Sequence, residues 1–141
     1  MSTILVNTLT GTSTAGSIAV TGEGNSTTTN LQQGLTKVWA TFNASTPALM
    51  DSFNVSSLTD NASGDFTLGH TNNFAVANVY AAGGHTAHTN GSSTTTYLTN
   101  PRDNVQLLTS SCRYSILYNT SSATGRSDYA YCSTRCNGDL A

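Results

Sequence analysis

Residues 52–70 run SFNVSSLTDNASGDFTLGH, which can be taken as a metal loop or as strand, turn and strand. Asp60, Asn61, Gly64 and Asp65 crowd its middle. An EF-hand loop needs oxygen ligands at positions one, three and five, glycine at six and a bidentate Glu at twelve. Counted from Asp60, these places hold Ala62, Gly64, Asp65 and Thr71 after the first, so the pattern fails. The flanks instead alternate. Phe53, Val55 and Ser57 oppose Asn54, Ser56 and Leu58, and FTLGH at 66–70 returns. DNASGD is then a hairpin connection, with Asx side chains bonding their own backbone and Gly64 supplying a positive φ.

Outward from this hairpin the same texture continues. NFAVANVYAA (73–82), TTYLT (95–99), VQLLT (105–109), CRYSILY (112–118) and DYAYCST (128–134) are strand-like runs. GGHTAHTNGSST (83–94) is a polar, glycine-rich loop, and Asn90-Gly91, Asn100-Pro101, Ala123–Gly125 and Asn137-Gly138 are turn signals. Upstream, STILVNTLT (2–10) and SIAVT (17–21) favour extended backbone, separated by loops. TNLQQGLT (29–36) is the helix candidate, with Thr29 and Gln32 at capping-box spacing. Leu31, Leu35 and Val38 continue its apolar stripe. KVWATF then runs as a strand with Val38, Ala40 and Phe42 inward and Trp39 and Thr41 on the other face. The predicted fold is mainly β: residues 1–36 form an extended arm with one short helix, and residues 37–141 form an antiparallel β-sandwich or jelly-roll-like knob.

Composition agrees. Only 9% of the 141 residues are charged, against roughly 25% in ordinary globular chains. Polarity comes from 25 Thr, 18 Ser and 14 Asn, short side chains suited to strands and turns. A net charge of −2 provides no basic track for phosphates, so nucleic acid is not an expected partner. No apolar run approaches the roughly 20 residues of a membrane helix, so no membrane insertion is expected. The opening MSTILVNTLTG lacks the basic and apolar regions of a signal peptide. Asn-x-Ser/Thr occurs six times, at Asn25, Asn43, Asn54, Asn61, Asn90 and Asn119; so much Ser and Thr would produce about four by chance, so the triplets do not argue for glycosylation.

Reactive chemistry is sparse. Cys112, Cys132 and Cys136 are an odd number without zinc-site spacing. They are expected as reduced residues in or near strands, with a Cys132–Cys136 or Cys112–Cys132 bridge as the alternative. His85 and His88 point to opposite faces if on a strand, and neither carboxylate nor Cys lies nearby in sequence to complete a metal shell. His70 is taken as a strand residue. No nucleophile elbow or phosphate loop is present. No catalytic residue, metal or cofactor is expected, and an enzyme is not the reading. An apolar stripe on so short a helix needs a partner, which makes Leu31, Leu35 and Val38 the expected oligomer interface. His85, His88, Asn90 and Tyr97, in and beside the polar loop, are the expected receptor or partner contacts. Aromatic faces with Asn and Ser suit sugar surfaces.

Several stretches together resemble a family of phage fibre proteins. MSTILVNTLTGTSTAGSIAVTGEGNSTTTNLQQGLTKVWATFN is similar to their opening, and DSFNVSSLTDNASGDFTL to the hairpin that begins their distal β domain. Asp128 before a strand and the terminal NGDLA resemble their closing strand. The resemblance implies a virion structural protein of marine-type bacteriophages, a homotrimer assembled in the host cytoplasm. Its arm and helix would bind other virion proteins, and its knob, through residues 83–104, a host cell-surface glycan or protein. The chain lacks the repeats of a long fibre shaft, so a short fibre, a head spike or a decoration protein fits better. A capsid or tail decoration or joining protein and a bacterial carbohydrate-binding module are the alternatives.

Overall fold

The computed structural model describes residues 4–12, 18–21, 24, 27–87, 96–101, 107–119 and 123–141. The chain divides into two compact units, Met1–Leu35 and Thr36–Ala141. In the first, β1 (Ala19–Thr21) pairs antiparallel with β2 (Thr28–Asn30), Val20 opposite Thr29. Helix α1 follows as a single turn, Leu31–Gly34. Its cap is Asn30, whose Oδ1 accepts the Gln32 N–H at 2.8 Å. Thr29, the expected cap, stands one residue too early, because the helix begins at Leu31. The described residues 4–12 form no strand, although their β-branched residues favour extension. Among the described residues, β1 and β2 pair with each other and not with this stretch.

The second unit is an antiparallel β-structure. Among the described residues it has nine strands: β3 (Thr36–Asn43), β4 (Ala48–Phe53), β5 (Val55–Ala62), β6 (Asp65–His70), β7 (Ala81–Ala87), β8 (Thr96–Pro101), β9 (Ser111–Asn119), β10 (Thr124–Arg126) and β11 (Tyr131–Asn137). They join one sheet in the order β4-β3-β11-β7-β8-β9-β6-β5, with β10 added on β9. The last strand, β11, fills the gap between β3 and β7.

Alternation sets the core. Val38, Ala40 and Phe42 of β3, Phe66 and Leu68 of β6, Cys112, Tyr114 and Ile116 of β9, and Cys132 and Cys136 of β11 are all buried in one cluster. The sheet must bend to bring them together. Phe42 and Phe66, far apart in strand order, have ring centroids 5.7 Å apart. The Tyr114 hydroxyl lies 3.1 Å from Cys136 Sγ. The half built on β3 and β11 therefore packs its inner face on the half built on β6 and β9. Each large apolar side chain so buried contributes roughly 1.5–3 kcal/mol.

The bend is closed by one residue. SFNVSSL is not the continuous strand its alternation predicts. It breaks at Asn54, which sits at φ 59°, between β4 at one end of the sheet and β5 at the other. The Asn54 amide nitrogen donates to the carbonyls of Lys37 and Asn72, both at 3.1 Å. Its Oδ1 accepts the Asn72 backbone N–H at 2.6 Å. Asn tolerates left-handed backbone because its short polar side chain can bond locally.

Other expectations are corrected: Asn100-Pro101, expected as a turn, ends strand β8, and of VQLLT the described residues 107–109 hold one isolated bridge, Leu107 to Cys112, and no strand. NFAVANVYAA is an irregular loop until Ala81, with Asn78 at φ 61°. Phe74 and Tyr80 turn inward and stack at 4.0 Å, while Val76 and Val79 stay exposed. GGHTA, expected as loop, is strand β7, because β11 offers it a full ladder from Ala81 to Ala87. The hairpin at 58–66 is observed, with Gly64 at φ 62°. A Cβ there would meet Ile116 O and Arg126 Cβ at 2.7 Å.

Replacing Asn54 should separate two contributions. Asn54→Gly keeps the backbone conformation and loses the side-chain bonds. Asn54→Ala loses both and should be less stable than Asn54→Gly by up to about 1 kcal/mol. Thermal denaturation of both variants beside the parent checks the order. Equal melting temperatures for all three would show that the corner is not a constraint.

Candidate functional site

Three places gather polar chemistry in the second unit. The first answers the question posed by DNASGD. Asp65 is almost fully buried and takes both arms of Arg113, Nε to Oδ1 at 2.7 Å and Nη2 to Oδ2 at 2.8 Å. Arg126 Nη1 stands 3.4 Å from Oδ2. Asn61 bonds the side chains of Thr67 and, at 3.5 Å, Asp65, rather than its own backbone. Across the turn, Gly64 N–H donates to Asp128 Oδ1 at 2.6 Å, and the Asp128 carbonyl accepts the Ser45 hydroxyl at 3.2 Å. The cluster ties β6 to β9 and β10 and one hairpin tip to another. A buried carboxylate held by a bidentate guanidinium is a structural device. Neither a metal shell nor a self-capped turn describes it.

The second is the thiol and tyrosine cluster in the core. All three cysteines are free and buried. Cys112 hydrogen-bonds Cys136, and this contact, with burial added, pushes the Cys112 thiol up. The neighbour of Cys136 is thus Cys112 on the facing strand rather than Cys132. Burial pushes Cys132 up to about 12. The bond from Cys112 lowers the Cys136 thiol against the opposing effect of burial, whereas the raised thiols of Cys112 and Cys132, held protonated away from solvent, are poor nucleophiles. At its edge lies His70, whose Nδ1–H donates to Thr109 O at 3.1 Å while Nε2 is buried without a partner. Its ring meets Phe74 edge-on at 5.2 Å. Burial lowers the His70 pKa, and the Thr109 bond opposes this in part.

The third place faces outward. Register sets Phe53, Trp39, Arg135 and Gly83 in one line across β4, β3, β11 and β7. Directly opposed residues share a face of the sheet. Val38, Ala40, Cys132 and Cys136 fill the inner face, so this line lies on the outer one. The next line holds Asp51, Thr41, Ser133 and the backbone position of His85. Here a groove of about 430 Å³ opens, lined by Trp39, Thr41, Gly83, Gly84, Ser133 and Arg135 among others. The two glycines differ. A Cβ on Gly84 would run into the Ser133 carbonyl, so close packing demands that glycine. A Cβ on Gly83 would meet nothing within 4 Å. Its bare backbone leaves the groove floor open. Glycine inside a strand weakens it and marks a bulge, a bend or the close approach of a ligand or another backbone; Gly84 is the last of these, and Gly83 has no such neighbour.

The predicted site residues fall in different places. Val38 is 1% exposed in the core, so its surface is already used within one chain and it leaves the expected interface. Leu35 is exposed and Leu31 partly so. His85 lies on β7 and Tyr97 on β8, paired with Ser133 and Tyr118. His88 and Asn90 lie outside the described residues. Sequence reasoning put Trp39 and Thr41 on the outer face but did not join them to Arg135, Ser133 and Gly83, because nothing local announces that β11 inserts between β3 and β7. Compared with protein families, curated proteins and solved structures, the chain shows no match.

Two outcomes follow. Asp65→Ala leaves Arg113 without its buried partner and should cost about 3 kcal/mol. Asp65→Leu with Arg113→Met should recover part of that in thermal melts. A single Asp65→Ala variant as stable as the parent would refute this account of the cluster. As pH falls through 6.5, the unfolded chain takes up a proton at His70 that the folded chain refuses. Stability should therefore decline from pH 7 to pH 5. The decline should be shallower in His70→Gln, measured by urea denaturation at each pH, and an unchanged slope would contradict it.

Proposed function

We propose that this chain is a bacteriophage virion structural protein: a short trimeric fibre or spike whose β knob recognises the host surface. Four features support the reading. The opening, hairpin and tail resemble phage fibre proteins in wording and order. The surface is poor in charge and rich in hydroxyls. The chain divides into a small N-terminal unit and a β unit. The halves of the bent sheet, packed face to face, make a sandwich-like knob. In this reading residues 1–36 attach to other virion proteins after assembly in the host cytoplasm, and Leu31 and Leu35 contribute to the trimer contact.

The observation that carries recognition is the outward line of Phe53, Trp39 and Arg135 beside the open floor at Gly83. The receptor surface is therefore proposed on the outer face of β4, β3, β11 and β7, which includes residues 83–87 of the expected receptor segment. A bacterial carbohydrate-binding module would use the same groove as a monomer. A decoration or joining protein would bind assembled particles and leave cells untouched.

Solution mass separates these readings. By light scattering, the full chain should be a trimer, and Leu31→Ser with Leu35→Ser should yield monomers with unchanged β circular dichroism. A monomeric parent chain would overturn the fibre reading.

A further inference from the structure

The cations are few and their placement is informative. The chain has five Lys and Arg residues. Lys37 is buried, Arg113 and Arg126 are engaged with Asp65, and Arg102 lies outside the described residues. Arg135 is different: it is exposed and lines the groove. Its direct cross-strand partner is the chain's single Trp, Trp39. On Arg135's other side the ladder offers Gly83, with no side chain to cover the guanidinium.

We propose that this groove holds a carboxylate-bearing sugar residue of a surface polysaccharide, its ring against Trp39 and its carboxylate on Arg135. The proposal rests on the reading of this face as the receptor side. Each part follows from chemistry on the face. An indole presents a broad apolar surface suited to the C–H face of a pyranose. A guanidinium offers a planar fork of donors that matches a carboxylate in two parallel bonds. The Thr41 hydroxyl on the same face can both donate and accept, as sugar hydroxyls require. Asp51 stands on the same face on β4, in the line beside Arg135's and two strands away. It disfavours an anion there and directs the carboxylate toward the Gly83 side. The groove volume of about 430 Å³ falls within the roughly 300–1,000 Å³ of small-molecule sites.

The test uses the full-length protein and a matched pair of probes, oligogalacturonate and its fully methyl-esterified form, in titration calorimetry. A panel of sialylated and other carboxylate-bearing oligosaccharides extends it. The acid form should bind about tenfold or more tightly than the ester, since a hydrogen bond to a charged group is lost on esterification. Arg135→Gln should weaken the acid form by a similar factor and leave the ester unchanged. Arg135→Lys should fall between, keeping charge without the fork. Gly83→Val should abolish binding of both, with its melting temperature recorded to show that it folds. Arg135→Gln is exposed and tests the carboxylate contact if Gly83→Val fails to fold. Equal affinity for acid and ester, indifferent to Arg135→Gln, overturns the proposal and leaves a neutral-sugar groove. No binding to any acidic saccharide by a trimeric protein also overturns it while the fibre reading stands. A monomeric protein that binds the acid form through Arg135 keeps the proposal and removes the fibre.

Discussion

The chain leaves β4 at one end of its sheet and enters β5 at the other, and Asn54 makes that step in a single residue. Everything that packs inside the second unit depends on the ends of the sheet coming together. A flat sheet of these strands would expose the inner face carrying Phe42, Phe66, Tyr114 and the buried cysteines. Bent, it buries them against one another. Asn54 suits the position on two counts. Its backbone accepts a positive φ, and its amide fastens β3 on one side and the 71–72 turn on the other. Two exposed strand edges are a hazard in any open sheet. Bringing them to a common corner removes part of that hazard.

Charge economy is the second organising fact. A chain so poor in ions uses those it has at defined points. Asp65 gathers two arginines where β6, β9 and β10 meet. Asp128 receives a backbone N–H from the tip of the β5–β6 hairpin. Buried ion pairs of this sort add little net stability over an apolar replacement, because desolvation offsets their attraction. What they fix is arrangement, since a slip in register would strand a charge. Elsewhere, Thr, Ser and Asn satisfy the surface with short side chains that lose little rotamer freedom on folding.

Much of the architecture was legible in the sequence, for identifiable reasons. The mainly β class follows from β-branched residues, hydroxyls and the lack of helix formers. β3, β6, β8 and β9 lie where alternation put them. The hairpin at Gly64 was announced by turn chemistry. The failures have a common cause in tertiary override. NFAVANVYAA has strand composition, but its aromatics are worth more stacked in the core than alternating on a ladder. GGHTA has loop composition, but β11 supplies hydrogen-bond partners along its whole length. Asn54 looked like one polar position in an alternating run, and only the closure of the sheet makes it a corner. Asp65 looked like a turn residue because its arginine partners lie 48 and 61 positions away.

The groove was the least legible part, and the reason bears on how such a surface arises. Trp39 and Arg135 are 96 residues apart and become neighbours only because the last strand inserts beside the first strand of the unit. That insertion completes the inner core with Cys132 and Cys136. It also sets Ser133 and Arg135 on the outer face by simple alternation. Inner packing and outer recognition are thus two sides of one strand. A shift of register by one residue would turn Arg135 into the core and expose Cys136. The buried face thus excludes every odd slip of β11. The same packing that closes the knob therefore holds the guanidinium, the indole and the bare Gly83 in line.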